Sequence, residues 1–197
     1  LAKELIKHKV PVRVADTNWD AIRAARMQDI PVYFGNPTSE HAAIHLDLNT
    51  IGTVLLLSPY KQLNPMIGYH FEYTLGKDKV WGLTNNELAT RPSHQVSRDY
   101  AKKLSLFAEG ITYGYLASAV SRGAQIKTTA LTPEFTFKDY MEKYGDAATP
   151  LMYINENNRM HVLLSSDETI PRAGSKLVSL VEAEMLDSEK VVKPAKD

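Results

Sequence analysis

Val-Arg-Val-Ala-Asp, at residues 12–16, is the stretch of sequence that decides the fold. Two more short runs of β-branched, aromatic and leucine residues follow it, at 32–34 and 53–57. A polar residue or a turn ends each run: Asp16, Gly35-Asn36 and Ser58-Pro59. Parallel strands of an open α/β sheet are buried on both faces, and their carboxyl ends open into a binding crevice. The pattern therefore predicts three parallel strands with candidate binding residues at their ends.

Helical segments are predicted to alternate with these strands. Asp16-Thr17-Asn18 supplies side-chain acceptors for a helix start just after the first strand. Short connections of this kind favour right-handed crossovers onto a parallel sheet. We therefore expect residues 1–85 to form a Rossmann-like, doubly wound parallel sheet. The predicted helices span residues 2–9, 19–28, 38–46 and 64–75, and a fourth strand spans 79–83.

The second half of the chain has a different pattern. Residues 86–98 are polar, contain Pro92 and lack either periodicity, which predicts a linker. A smaller α+β domain is expected over 99–182, in which Asn-Glu-Asn-Asn at 155–158 predicts a hairpin joint. Residues 183–197 are charged and are predicted to form a disordered tail. The expected helices of this domain lie at 99–107 and 113–122, and its strands at 125–131, 150–154, 160–164 and 176–181.

The composition narrows the classes of function. Lysine plus arginine and aspartate plus glutamate number 23 each in 197 residues, so no global field favours nucleic acid or an anionic membrane. The absence of cysteine excludes disulfides, thiolate zinc sites and cysteine nucleophiles. No window approaches the roughly 18 consecutive apolar residues of a membrane helix. We expect a cytosolic globular protein, and the helical pattern that begins at Leu1 suggests a fragment whose natural start lies upstream.

Asp16 is the strongest candidate for a binding residue. An acidic residue that ends the second strand of a Rossmann unit accepts hydrogen bonds from the ribose hydroxyls of an adenine nucleotide. The glycine-rich turn that holds the pyrophosphate would lie about 20 residues earlier, but only 15 residues precede Asp16. The phosphate half of such a site is therefore missing from the sequence. The alternative is that Asp16 simply caps the helix that starts near Trp19.

Other polar groups are weaker candidates. Gly35-Asn36 and Ser58 end neighbouring strands on the same edge as Asp16, although Gly-Asn-Pro is also ordinary turn chemistry. His41 and His45 are four residues apart, which is metal-ligand spacing on a helix, but no third ligand is evident and we expect no metal. No nucleophile elbow and no pair of carboxylates for acid–base work stand out.

Several segments together resemble the cytosolic nucleotide-binding domain of bacterial cation:proton antiporters of the NhaP type. That domain is related to the RCK and TrkA N-terminal domains of potassium transport proteins. The resemblance covers about residues 1–85, and residues 100–182 resemble, with a weaker signature, the accessory region of the same antiporters. The segments that carry it are Val-Ala-Asp-Thr-Asn-Trp at 14–19, Ala-Ala-Arg at 24–26, the run from Tyr33 to His41, Leu-Asp-Leu at 46–48, Ile51-Gly52 and Asn64.

The resemblance implies a regulatory domain and not an enzyme. It would bind NAD(H) or ATP/AMP, form a homodimer, and bias ion exchange in the attached membrane domain from the cytoplasmic side of the inner membrane. Asp16 would hold the ribose, Asn36 would lie beside the adenine and Ser58 near the phosphates. Thr17, Asn18 and Gly35 complete the expected cofactor-binding set.

The missing first strand has structural consequences. In a doubly wound sheet it would lie between the 12–16 strand and the 53–57 strand, which would otherwise lack their shared neighbour. Our hypothesis is that this strand belongs to the parent protein, and that the remaining sheet closes up or borrows a strand from a partner chain. Two other functions stay open: a structural dimerisation module without a ligand, or a fragment of an NAD-dependent oxidoreductase.

Overall fold

The protein is a mixed α/β chain that divides into two compact units, Leu1–Leu83 and Thr84–Asp197. The computed structural model describes residues 1–60, 63–84, 106–165 and 169–186. The predicted linker at 86–98 lies outside these described residues.

Helices and short strands alternate in the first unit, as the sequence pattern predicts. The strand at Val32–Phe34 has the predicted bounds, and the strand at Val14–Asp16 is two residues shorter than predicted. A 3₁₀ turn precedes each of the next two strands. The elements are α1 (Ala2–Lys7), β1 (Val14–Asp16), α2 (Trp19–Arg26), β2 (Val32–Phe34), α3 (Glu40–His45), β3 (Val54–Leu56), α4 (Leu63–Leu75) and β4 (Val80–Gly82).

The strands of the first unit form two separate parallel pairs. β1 pairs with β2, with Asp16 opposite Phe34, and β3 pairs with β4, with Val54 opposite Val80. No ladder joins β1 to β3 among the residues that the structure describes. The described strands that follow Gly123 pair with one another and not with β1 or β3. The expectation of parallel strands is thus confirmed, while one continuous sheet is not formed by these four strands.

Small apolar clusters hold this unit together. Ile22 of α2 is fully buried, and Tyr33 of β2 packs with Ala42 and Leu46. Helix α4 lies close to its strand pair at Gly68, because a Cβ atom there would come within 3.3 Å of a methyl group of Leu56. The helices therefore cover the strands through a few large or very small side chains.

The second unit contains a four-stranded antiparallel sheet in the order β5 (Gln125–Ala130), β8 (Lys176–Val181), β6 (Ala148–Ile154) and β7 (Met160–Val162). The four predicted strands and the predicted helix after residue 112 are confirmed. Asn155 and Arg159 close the hairpin between β6 and β7 through a backbone hydrogen bond of 3.0 Å. Leu106 forms a bridge to Leu164 and Phe107 has a φ of 70°, so these last two residues of the helix predicted at 99–107 are not helical. Residues 99–105 lie outside the described part of the chain. The elements are α5 (Tyr113–Ser121), β5 (Gln125–Ala130), α6 (Phe137–Tyr144), β6 (Ala148–Ile154), β7 (Met160–Val162) and β8 (Lys176–Val181).

The aromatic residues of α6 belong to the core of this unit, as expected. Tyr140 and Tyr144 stack with ring centroids 4.5 Å apart, and Phe135 and Phe137 pack against the same cluster. Residues 183–186 are helical, and Leu186 is buried in this core. The core therefore extends into the segment that was predicted to be a tail. The charged residues of this segment dominate its composition, but its apolar residues Met185 and Leu186 pack against the core. Residues 187–197 lie outside the described part of the chain.

Candidate functional site

Asp16 is the last residue of β1 and is half-buried. One carboxylate oxygen, Oδ1, accepts a hydrogen bond of 2.9 Å from the backbone amide of Asn18. The other oxygen, Oδ2, has no hydrogen-bond partner among the described residues, so it can accept a hydrogen bond from a ligand. Asn18, and not Asp16, caps α2, because its side chain accepts from the amide of Ala21 at 3.1 Å. The carboxylate of Asp16 therefore does not serve as the helix cap.

Thr17 lies between these two residues and is exposed. Residues 16–18 form a tight turn in which the side chains of Asp16 and Asn18 accept hydrogen bonds from the backbone amides of Asn18 and Ala21. The turn fixes the position of the Asp16 side chain at the carboxyl end of the strand.

Gly35 and Asn36 follow β2 directly beside Asp16. The amide of Gly35 donates a hydrogen bond of 2.9 Å to the carbonyl oxygen of Asp16. Gly35 has a φ of 139°, a conformation that side chains disfavour, and the chain turns away there. The Asn36 side chain accepts hydrogen bonds from the amide and hydroxyl of Thr38, at 3.0 and 2.9 Å. The carbonyl part of the Asn36 amide thus serves the turn, which matches the turn chemistry considered for this segment.

Ser58 lies at the carboxyl end of the other strand pair, two residues after β3. Its hydroxyl donates to Asn64 Oδ1 at 2.5 Å, and the Asn64 side-chain amide donates to the Ser58 carbonyl at 3.1 Å. This reciprocal pair closes the connection from β3 to α4. In the described part of the chain, no hydrogen bond joins Ser58 to Asp16, Gly35 or Asn36. The structure thus places Gly35 and Asn36 directly after the strand paired with Asp16, whereas Ser58 follows the other strand pair.

An exposed aromatic pair beside Asp16 was missed in the sequence. Trp19 and Phe34 are 51% and 49% exposed, and their rings meet edge to face at 5.2 Å. Phe34 is paired in register with Asp16, so the two side chains leave the same face of the sheet. The guanidinium of Arg26 lies 5.8 Å from the centre of the Trp19 ring. The sequence does contain a signal for this pair: Phe34 is the last residue of β2, and Trp19 lies three residues after the end of β1.

His41 and His45 lie side by side on α3. Their rings stack at 3.9 Å, and Tyr33 contacts Nδ1 of His41 through its hydroxyl at 2.9 Å. His45 Nδ1 lies 2.8 Å from the carbonyl oxygen of His41. Within the described ranges, no group of three or more histidine, cysteine, aspartate or glutamate side chains could hold a metal ion.

The described helices include none that is long and apolar enough to cross a bilayer. When the chain is compared with known protein families and with curated proteins, nothing matches it.

Proposed function

We propose that this chain is the cytosolic regulatory domain of a bacterial monovalent cation:proton antiporter. In this proposal it binds an adenine nucleotide, NAD(H) or ATP/AMP, and forms a homodimer that modulates transport by the membrane domain. It acts from the cytoplasmic side of the inner membrane and catalyses no reaction. A ligand can shift transport only through its different affinities for two conformations.

The observation that carries the proposal is the environment of Asp16. A half-buried carboxylate ends a parallel strand, and one of its oxygens is held by a backbone amide while the other is available. This is the arrangement that accepts a ribose hydroxyl at the carboxyl edge of a nucleotide-binding sheet. The exposed ring of Phe34 lies on the same face, and aromatic rings stack on nucleobases. The described residues therefore fit the ribose and base of a nucleotide, while no glycine-rich phosphate turn occurs in the sequence.

The finer fold belongs to the same proposal. We infer that the two parallel pairs are the two halves of one Rossmann-like, doubly wound sheet, with a further parallel strand between β1 and β3. Val14 and Asp16 bond to β2, so the backbone groups of Ala15 point to the opposite edge, because these groups alternate along a strand. In the β3–β4 pair, the carbonyl of Leu56 accepts a hydrogen bond from the amide of Leu83, which directly follows β4. The backbone groups of Leu55 therefore point away from β4. A single strand could satisfy both edges.

The burial of β3 supports this arrangement. Its residues Val54, Leu55 and Leu56 form the most apolar strand of the unit, yet all three are only half-buried. Strands of a parallel sheet are normally covered on both faces. An additional neighbour at the free edge of β3 would complete that burial.

Calorimetry on the full natural polypeptide that carries this sequence tests the proposal. We expect heat on titration with NADH, ATP or AMP, and at least about tenfold weaker binding of 2′,3′-dideoxy-AMP, because Asp16 would lose its ribose partners. Proton exchange in proteoliposomes should change when the nucleotide that binds is added. No heat with any adenine nucleotide would reject the ligand-binding role.

A second candidate function is a structural dimerisation module without a ligand. The exposed apolar face of α4, which is described below, favours it. Such a module would form a dimer that is indifferent to nucleotides and to Asp16→Ala. The same calorimetry combined with sedimentation therefore separates the two functions.

A further inference from the structure

Helix α4 presents an apolar face to solvent. Leu63, Met66, Tyr69 and Tyr73 are 50%, 68%, 55% and 96% exposed, and their spacing of three or four residues aligns them along one side of the helix. The opposite side carries the buried residues Gly68 and Phe71, which face the β3–β4 pair. Helix α4 is therefore apolar on both sides. Most surface helices carry charged residues on the side that faces water.

The charge of this helix is as informative as its apolar content. Glu72 is the only charged residue in Leu63–Leu75, and it is half-buried. An exposed face without charge offers no complementarity to an acidic or basic partner. It also lacks the lysine and arginine residues with which interfacial helices bind anionic membranes.

The size of the face corresponds to a specific contact. A large aromatic side chain has about 150–250 Å² of surface, so the four exposed side chains present on the order of 500 Å². Two copies would bury on the order of 1,000 Å² together, which reaches the lower range of specific protein interfaces. Scattered single apolar residues need no explanation, but a contiguous patch of this size marks an interaction surface.

We propose that this face, made of Leu63, Met66, Tyr69 and Tyr73, is the contact through which two copies of the chain dimerise. A two-fold axis places the same patch on both sides, so an uncharged apolar face meets an identical one and leaves no charge buried without a partner. In an antiparallel pair of α4 helices, the Leu63 end of one copy packs against the Tyr73 end of the other. This inference rests on the dimer in the proposed function and gives that dimer its surface.

Sedimentation of the full chain over a range of concentrations tests the inference. The variants are Met66→Glu and Tyr73→Ser, and Tyr73 is so exposed that its replacement leaves the monomer fold intact. Ile44→Glu is the matched control, because Ile44 is 77% exposed on α3 of the same unit. We expect a wild-type dimer, a dimer dissociation constant at least about tenfold higher in both α4 variants, and no change in the control.

Three outcomes would overturn the inference. The wild type could be monomeric at every concentration, the Ile44→Glu control could weaken the dimer as much as Met66→Glu does, or both α4 variants could dimerise normally. Binding of the monomeric wild type to vesicles of phosphatidylcholine and phosphatidylglycerol, lost in Met66→Glu, would assign the face to a membrane instead. Nucleotide titration of the same samples keeps the two proposals separate: a monomer that binds nucleotide rejects only the dimer face, and a dimer that binds none rejects only the ligand site.

Discussion

The backbone amide of Gly35 donates a hydrogen bond of 2.9 Å to the backbone carbonyl of Asp16, which fixes the ends of β1 and β2 side by side. This bond does not involve the Asp16 side chain. The carboxylate of Asp16 has a separate role, in which one oxygen accepts the amide of Asn18. Substitutions of Asp16 therefore leave the strand pair in place and act on the turn and on the ligand.

Asp16→Asn and Asp16→Ala separate these two roles. Asparagine keeps an oxygen for the Asn18 amide but removes the negative charge, so we expect unchanged stability and about tenfold or greater loss of nucleotide affinity. Alanine also removes the turn acceptor, and we expect an additional loss of about 1 kcal/mol in the free energy of unfolding. Urea unfolding and nucleotide titration measure the two quantities. Equal affinity of wild type and Asp16→Asn would contradict the assigned ribose role.

Gly68→Ala is expected to be tolerated. The added Cβ would lie 3.3 Å from a methyl group of Leu56, which is the flexible end of a side chain and can shift by a few tenths of an ångström. Alanine also favours the helix by about 1 kcal/mol relative to glycine. We expect the melting temperature of Gly68→Ala to equal or exceed that of the wild type.

Gly68→Val provides the contrast, because a branched side chain cannot fit against β3 in the same space. We expect a loss of about 1–3 kcal/mol in the free energy of unfolding. If Gly68→Val were as stable as Gly68→Ala, the conclusion that α4 packs closely against β3 at Gly68 would be rejected.

Gly174→Ala should destabilise the turn before β8. Gly174 has a φ of 89°, and a Cβ there would overlap the carboxylate of Glu156. We expect a loss of about 1–2 kcal/mol from the backbone conformation alone. The overlap adds to this loss unless the exposed Glu156 side chain moves aside.

A second substitution distinguishes these contributions. The double variant Glu156→Ala, Gly174→Ala removes the overlap and retains the backbone cost. Its free energy of unfolding should therefore lie below that of Glu156→Ala, by less than Gly174→Ala lies below the wild type. Urea unfolding of the four proteins gives both terms. Full recovery would show that the backbone conformation at Gly174 imposes no cost.

The strands could be predicted from the sequence where turn residues bound a β-branched run. The bounds of β2 and β8 agree with the predictions for this reason. β1 begins two residues later than predicted because its ladder starts with the amide of Val14 donating to the carbonyl of Pro31. Proline has no N–H, so Pro31 cannot donate the next bond to residue 12.

The site could be predicted only in part. Asp16 and Gly35 were expected to be neighbours because carboxyl ends of parallel strands share an edge. The contact between Trp19 and Phe34 depends on how α2 packs against β2, which no local pattern in the sequence specifies. The exposed face of α4 could not be predicted either, since a helix that is apolar on two opposite sides is ordinarily buried. The hydrogen bond from the Ser58 hydroxyl to Asn64 could not be predicted either, because it depends on how the chain after β3 turns into α4.

The start of α6 gives the protein a pH-dependent helix cap. The hydroxyl of Thr136 donates a hydrogen bond of 2.6 Å to the carboxylate of Asp139, and the amide of Thr136 donates a second bond of 2.8 Å to it. These two bonds lower the pKa of Asp139 below its ordinary value. Because the pKa is lower in the folded state, the cap adds stability above the ordinary carboxyl pKa, and this stability is lost as the pH falls through the folded pKa.

We therefore expect Asp139→Asn to reduce stability at neutral pH and to show a smaller further loss than the wild type as the pH falls below about 4. Urea unfolding at several pH values measures both effects. Glu142→Gln is the control, since Glu142 is an exposed carboxylate of the same helix that only pairs with Lys138 at 3.6 Å. Glu142→Gln should show the same loss of unfolding free energy at acid pH as the wild type, because an exposed ion pair contributes little to stability. An Asp139→Asn variant with the same acid limb as the wild type would show that the bonds from Thr136 do not favour the ionised carboxylate.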